Sequence, residues 1–314
     1  MKNTIIKGLF VIASCILLIA IGVIIGINIR TISRDPAFVS ITDKTWTLGE
    51  GEEKARIEEN YWNFIRASYI LIGTPPDCEY YKIVSEVKRH DYDVENFYID
   101  DNSDKMYYHN AEGERVSTLA IDVSAFQPEI DWTAVKAAGV DVAMIRVGYR
   151  GYGSGKIVED DMFRTHIQGA LDAGLRVGVY FFSQALNYDE GVSEANFVLE
   201  TIREFDVTCP VVIDTEFMDA SDARTNELDI DSRTDSIVGF CETVEAAGYT
   251  AMIYSNRNWF VQSVDMSRLG DYKLWLAHYT NQPDFPYEYI GWQYTDQGTL
   301  DGVDGSVDLN VWFK

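Results

Sequence analysis

Arg176-Val177-Gly178-Val179-Tyr180-Phe181-Phe182-Ser183 and Val211-Val212-Ile213-Asp214-Thr215-Glu216 are two short apolar runs, and the segment between them decides the fold. Both runs are strand-like, being brief and rich in β-branched and aromatic residues. Pro210 marks the start of the second, because proline cannot donate inside a central ladder. Between the runs, Val192, Ala195, Leu199, Ile202 and Phe205 recur at the spacing of one helix face. Strand, helix, strand in that order is a crossover unit, and crossover units build parallel sheets.

The same alternation extends in both directions. Further strands are expected at residues 119–124, 142–149, 250–255, 274–279, 290–294 and 307–311. Helices are expected at 132–138, 160–173, 189–205 and 234–247. Gly139, Gly174 and Gly248 follow three of these helices, where a C-terminal cap prefers glycine. Eight strands with full helices only in the earlier gaps predict an α/β fold over residues 118–314, a modified TIM-like β/α barrel with a degenerate last third. Such barrels carry their reactive groups at the C-terminal ends of strands.

That rule gathers scattered acids into one cluster. Asp214 and Glu216 lie two apart, so in a strand they face the same way with Cα atoms roughly 6.6 Å apart, at about 3.3 Å per residue. Asp122 stands near the end of the first strand and Asp308 on the last. If the barrel closes, those two strands are neighbours, and four carboxylates around one cleft push a pKa upward, as a general acid requires.

Composition excludes several other functions. The 314-residue chain has a formal net charge of −24. Its first 34 residues hold Lys2, Lys7, Arg30 and Arg34 and no acid, leaving 22 basic against 50 acidic residues in the rest, a formal charge of −28. A field of that sign repels polyanions, so no nucleic-acid partner is expected. Residues 8–29 carry no charged side chain. As a helix they would run about 33 Å, long enough to cross a bilayer. The stretch is too long for a cleaved signal core and has no small-x-small site at its exit, so residues 1–34 read as a cytoplasmic tail and single-pass signal anchor, with the remainder extracytoplasmic. Ile12-Ala13-Ser14-Cys15 resembles a lipobox and keeps a lipoprotein signal as the rival reading.

Metal chemistry has little support. Cys78, Cys209 and Cys241 form no C-x-x-C pair, and His90, His109, His166 and His278 show no ligand spacing. Neither a metal nor a cofactor is called for. Isolated thiols are the favoured reading of the cysteines, with a Cys209–Cys241 bridge as the alternative. The acidic run from Asp229 to Asp235 fails the EF-hand pattern, having Arg233 at a ligand position with no glycine after it. It reads instead as the capped start of a helix.

Residues 35–117 form a small α+β module or stalk. Residues 52–71 have a broad apolar face with Tyr61, Trp62, Ile65, Tyr69 and Ile70, broken by Thr74-Pro75-Pro76-Asp77. Residues 96–116 read as short strands around turn-rich segments. No repeat or wall-binding unit is visible in the module.

Eight motifs together carry a family resemblance. Ile121-Asp122-Val123-Ser124 is followed by Gln127 and Ile130-Asp131-Trp132, then by Ile145-Arg146-Val147-Gly148-Tyr149 and Gly178-Val179-Tyr180-Phe181-Phe182. Asp214-Thr215-Glu216, Leu274-Trp275-Leu276-Ala277-His278-Tyr279, Trp292-Gln293-Tyr294-Thr295 and Val307-Asp308-Leu309-Asn310 complete the series. Their order and spacing over residues 118–314 resemble glycoside hydrolase family 25, the lysozyme-type N-acetylmuramidases of bacterial peptidoglycan. Phe181 stands where the family often has histidine, and His278 where it has glutamine or another polar residue.

The resemblance implies hydrolysis of the β-1,4 bond between N-acetylmuramic acid and N-acetylglucosamine. By motif, Glu216 is the proton donor, Asp214 its partner, and Asp122 and Asp308 complete an acidic floor. Tyr149, Tyr180, Trp275, Tyr279 and Trp292 are candidates for stacking on sugars, with Arg146 and Gln293 holding acetamido or carboxylate groups. Arg146 reads equally as an ion-pair partner of the acids. Retaining, inverting and substrate-assisted courses all remain open. The expected partners are peptidoglycan glycan strands and, through the N-terminal helix, the membrane. Envelope-machine partners of residues 35–117 are left open. An anchored muramidase is already held at the inner face of the wall, which points to remodelling of the producer's own envelope.

Overall fold

The computed structural model describes residues 52–74, 77–101 and 103–313. The uncharged stretch at residues 8–29 lies outside them; among the described residues no helix is long and apolar enough to cross a membrane. The chain divides into two compact units, Met1–Val84 and Ser85–Lys314.

In the first unit, helix α1 (Glu52–Ser68) leads into a hairpin of β1 (Tyr69–Thr74) and β2 (Asp77–Lys82). Phe64, Ile65 and Tyr69 form its buried centre, with Tyr61, Trp62 and Tyr80 packed against them. The helix is shorter than its apolar face suggests. Tyr69 and Ile70 are strand residues, paired with Lys82 and Tyr81, as β-branched and aromatic side chains favour.

The second unit opens with a two-stranded hairpin, β3 (Phe97–Asp100) and β4 (Lys105–Tyr108). It continues through β5 (Ser117–Val123), α2 (Trp132–Ala137), β6 (Val140–Arg150), β7 (Ile157–Glu159), α3 (Phe163–Asp172) and β8 (Arg176–Phe182). Next come α4 (Tyr188–Ile202), β9 (Val211–Asp214), α5 (Ile230–Ala246), β10 (Ala251–Asn256) and α6 (Arg257–Gln262). The unit ends with β11 (Lys273–Ala277), β12 (Gly291–Gly298) and β13 (Val307–Phe313). The strand order is β5-β13-β12-β11-β10-β9-β8-β6, and β5 also pairs with β6, so the sheet closes on itself as a barrel. Strand β7, not foreseen from the sequence, pairs antiparallel with the end of β6 outside the ring. No helix separates β11, β12 and β13, so the last third is degenerate.

Local chemistry sets the helix ends. The side chains of Asp131, Asn187 and Asp229 accept backbone N–H bonds at the starts of α2, α4 and α5. Asp229 is thus a cap rather than a cation ligand, and α5 starts at Ile230, four residues before the apolar spacing suggests. Gly139, Gly174 and Gly248 follow their helices at φ of 94°, 73° and 87°, a region that favours glycine.

Strand parity decides what faces the barrel interior. Ala120, Val142, Met144, Val212, Met252, Tyr254, Trp275, Ala277 and Trp312 form one interior cluster with Cys209. Asp122 is two residues on from Ala120 and Asp214 two on from Val212, so both acids continue the inward row at the strand ends. Crowding inside is tight enough to exclude a methyl group: a Cβ on Gly291 would lie 2.7 Å from Trp312 and 2.8 Å from Trp275.

Two findings depart from the expected barrel. All neighbouring strand pairs from β5 through β6 to β12 run parallel, but β13 is antiparallel to both β12 and β5. The second unit also begins at Ser85, well before residue 118. Residues 85–116 are joined to the barrel by aromatic packing: Tyr92 stacks on Phe313 with ring centroids 4.3 Å apart, and Phe97 meets Trp292 edge-on at 4.7 Å. Cys209 and Cys241 are both free and buried, so no bridge joins them.

Candidate active site

Asp122 is the last residue but one of β5, and Asp214 the last of β9. Glu216 lies just beyond β9, because the strand ends two residues earlier than its sequence pattern suggests. Asp308 is the second residue of β13, at the beginning of its strand rather than the end. It reaches the same rim only because β13 is reversed, which sets Asp308 directly opposite Asp122.

The four acids line one cavity of about 170 Å³ together with Arg146, Tyr180, Trp275 and Gln293. A larger pocket of about 810 Å³ adjoins it, sharing Phe126 and Arg146 and holding Tyr149, Tyr152 and Phe182. On the other side a pocket of about 410 Å³ shares Glu216 and Tyr254 and holds Tyr279. The acids therefore sit midway along a groove. Nearly all the residues singled out from the sequence line it, with Tyr149 and Tyr279 flanking the acids on opposite sides. Trp292 does not. It is fully buried, and its indole N–H donates to the His278 carbonyl at 2.8 Å.

Asp122 is held rigidly. Its carboxylate accepts from Asn310 Nδ2 at 2.8 Å and from Gln293 Nε2 at 3.0 Å. Asn310 is fixed in turn by Trp275 Nε1 at 2.7 Å, while Gln293 Oε1 accepts from Tyr254 and Tyr279 hydroxyls at 2.8 and 2.9 Å. Gln293 is therefore a strut for Asp122 more than a free sugar ligand. Trp275, 1% exposed, forms the cavity floor and is not an open stacking platform. Arg146 pairs with Asp160 at 2.7 Å, not with the four acids, and its guanidinium lies 5.1 Å from the ring of Phe126, which is 81% exposed. Asn310, Tyr254 and Phe126 are site residues that the sequence reading did not select. Only Asn310 carried a signal, being two residues from Asp308 on the same face.

Burial pushes every one of the four acids above the usual carboxylate range. Asp214 is raised well above its ordinary value, through burial and then the charge of Glu216, and its Oδ1 is buried without a hydrogen-bond partner. Glu216 also rises through burial, while contact with Asp214 pulls it part of the way back. The charge on each of these two carboxyls bears on the protonation of the other, and burial favours the neutral form of both. Glu216 is the more accessible of the pair and alone among the acids borders both the central cavity and the 410 Å³ pocket. Burial raises Asp122 against the pull of its Asn310 and Gln293 donors. Asp308 is pushed up to about 9 by burial and by the charge of Asp122. The dyad titrates as a unit, able to present a proton to an acceptor in the groove and to hold the charge left behind.

Comparison with known proteins agrees with this geometry. The autolytic lysozyme of Clostridium acetobutylicum is 29% identical over 191 residues, covering 60% of this chain and 54% of that protein. Lysozyme M1 of Streptomyces globisporus is 28% identical over 200 residues, covering 60% and 66%. Among solved structures, the autolysin LytC from Streptococcus pneumoniae in complex with a synthetic peptidoglycan ligand superposes with a TM-score of 0.56 at 25% identity, over 78% of this chain and 56% of LytC. The bacterial lysozyme from Streptomyces coelicolor gives 0.50 at 26% identity, over 62% and 91%. The chain thus spans about half the length of the clostridial relative and of LytC. The profile of glycosyl hydrolases family 25 matches residues 121–303, more than half of the chain, from within β5 to just before β13, and the chain belongs to that family.

Proposed function

We propose that the barrel hydrolyses the β-1,4 bond between N-acetylmuramic acid and N-acetylglucosamine in peptidoglycan. The observation that carries this reading is the buried Asp214–Glu216 pair lining the central cavity, with an adjoining pocket that shares residues with that cavity on either side. A groove open at both ends suits the interior of a polymer. With a sugar in the central cavity, a proton crosses one hydrogen bond from Asp214 to Glu216, and Glu216 delivers it to the leaving glycosidic oxygen. Asp214 is then ionised as positive charge develops at the anomeric carbon, which its negative charge stabilises. Asp122, locked by Asn310 and Gln293, and Asp308 opposite it shape the cavity floor.

The test is incubation of the full chain and its Glu216→Gln variant with purified peptidoglycan, followed by borohydride reduction and mass spectrometry. Fragments ending in reduced muramic acid from the parent are expected, with the variant slowed by about 10²–10⁴-fold, the usual contribution of a positioned acid. Glycan retained uncut by both proteins would replace this reading with a binding module. Products ending in another sugar would replace the substrate.

The uncharged stretch at residues 8–29 supports a second part of the proposal, that the protein is held in the cell membrane with its barrel outside and trims the envelope of the cell that makes it. Fractionation of the producing cells is expected to find the full chain in the membrane pellet. Mature protein free in the medium would overturn this assignment.

A further inference from the structure

Strand β7 returns the chain antiparallel along the end of β6, with Glu159 opposite Gly148, so the residue after it comes back beside Arg146. That residue is Asp160, whose N–H donates to the Val147 carbonyl at 2.9 Å and whose side chain is fully buried. Its Oδ1 accepts from the Met162 N–H at 2.9 Å, at the start of α3. Its Oδ2 accepts twice, from Arg146 Nε at 2.7 Å and from the Ala125 N–H at 3.2 Å. Three donors thus satisfy a buried carboxylate, and two of them come from other strands' ends.

Those two distant donors carry one wall of the groove. Ala125 lies in the turn at residues 124–127, closed by the Gln127 N–H donating to the Ser124 carbonyl at 3.0 Å, and this turn presents Phe126 to solvent. The Arg146 guanidinium lies over that ring, 5.1 Å from its centre. Phe126 and Arg146 both border the acid-lined cavity and the pocket of about 810 Å³ beyond it. With Nε turned to Asp160, Nη1 and Nη2 of Arg146 have no hydrogen-bond partner among the described residues and are the donors left for a ligand.

A long arginine side chain that is ordered only on binding costs affinity, whereas one fixed beforehand does not. We propose that Asp160 is a positioning residue: buried itself, it acts through its bonds to Arg146 and Ala125 to hold the Arg146–Phe126 stack ready for the sugar next to the cleaved bond. The inference rests on the hydrolase reading above and names what sets the geometry of this side of the groove.

The parent, Asp160→Asn, Arg146→Ala and the double variant, each as the full chain, are compared on soluble strands of purified peptidoglycan by the release of reducing ends. Asparagine has one acceptor oxygen and can serve Met162 or the Ala125 and Arg146 side, but not both. Asp160→Asn is expected to raise KM by about ten-fold, the scale of one charge-assisted hydrogen bond. A smaller fall in kcat accompanies it, because the charge of Arg146 also bears on Asp214. Once Arg146 is gone there is no stack to hold, so adding Asp160→Asn to Arg146→Ala should change KM by less than about two-fold, a coupling that a merely structural role would not produce.

Effects of the two substitutions that multiply, or a loss confined to kcat, would overturn the role of Asp160. Arg146→Lys keeps the test open if Asp160→Asn does not fold. Its single nitrogen reaches Asp160 or the groove but not both, so KM is expected to rise by the same order, and a KM equal to the parent's would overturn the proposal. Cleavage by the parent with all variants unchanged would overturn the positioning role and leave the hydrolase reading standing. No reducing ends from the parent would overturn the hydrolase reading and this role with it.

Discussion

Asp214 illustrates how a single residue is made reactive at some expense of stability. It is a carboxyl at the end of a fully buried row, with one oxygen lacking any partner and a second acid beside it. Its pKa in the folded chain is raised, whereas in the unfolded chain it takes the ordinary carboxylate value. Protonated Asp214 therefore contributes stability that is fully present below the ordinary carboxylate pKa and is lost as pH rises toward the folded value. Asp214→Asn, which cannot ionise, is expected to match the parent at pH 4 and to exceed it by about 1–2 kcal/mol at pH 8, within the range of single-site changes. Urea unfolding at the two pH values measures this, and a gain equal at both would remove ionisation as its cause. At this scale the acids were legible because their types and spacings are local. Their pairing was not: Gln293 was singled out as a sugar ligand and Asn310 not at all, because both reach Asp122 from strands about 170 and 190 residues away in the chain.

At the scale of elements, a local pattern was sufficient wherever one face of a helix or strand is buried. The helix between β8 and β9 follows its apolar spacing, and its start is closed by Asn187 accepting from the backbone of Glu190. Boundaries moved where a polar cap outweighed the apolar rhythm, as at Asp229 before α5. Strand β7 has no apolar repeat to announce it. It exists because the exposed edge of β6 at Gly148–Arg150 accepts a partner, and Gly148 lets that backbone approach to 2.3 Å of where a Cβ would stand. The direction of β13 was equally hidden. Both a parallel and an antiparallel last strand alternate inward and outward residues with the same period of two.

At the scale of the molecule, the hairpin of β3 and β4 belongs with the barrel and completes its wall. Lys105 Nζ donates to the Thr299 carbonyl at 2.6 Å, the Tyr294 hydroxyl accepts from the Met106 N–H, and Tyr92 covers Phe313. Cutting the chain at residue 118 would uncover Trp292, Tyr289 and Phe313, at about 1.5–3 kcal/mol for each large apolar side chain exposed. A fragment of residues 85–314 is therefore expected to unfold in one cooperative transition, whereas residues 118–314 should aggregate or melt without one, as circular dichroism on heating would reveal. Equal melting of the two fragments would show that the hairpin is dispensable. The sequence by itself determined the alternating α/β pattern, the four acids and the family, because these depend on residue type and short-range period. Only the tertiary structure decided that a reversed last strand brings Asp308 opposite Asp122. It likewise decided that a buried relay of Trp275, Asn310 and Gln293 holds the site, and that the preceding hairpin is part of the same unit. Such contacts join residues far apart in the chain, and no local period encodes which distant strands will be neighbours once the sheet has closed.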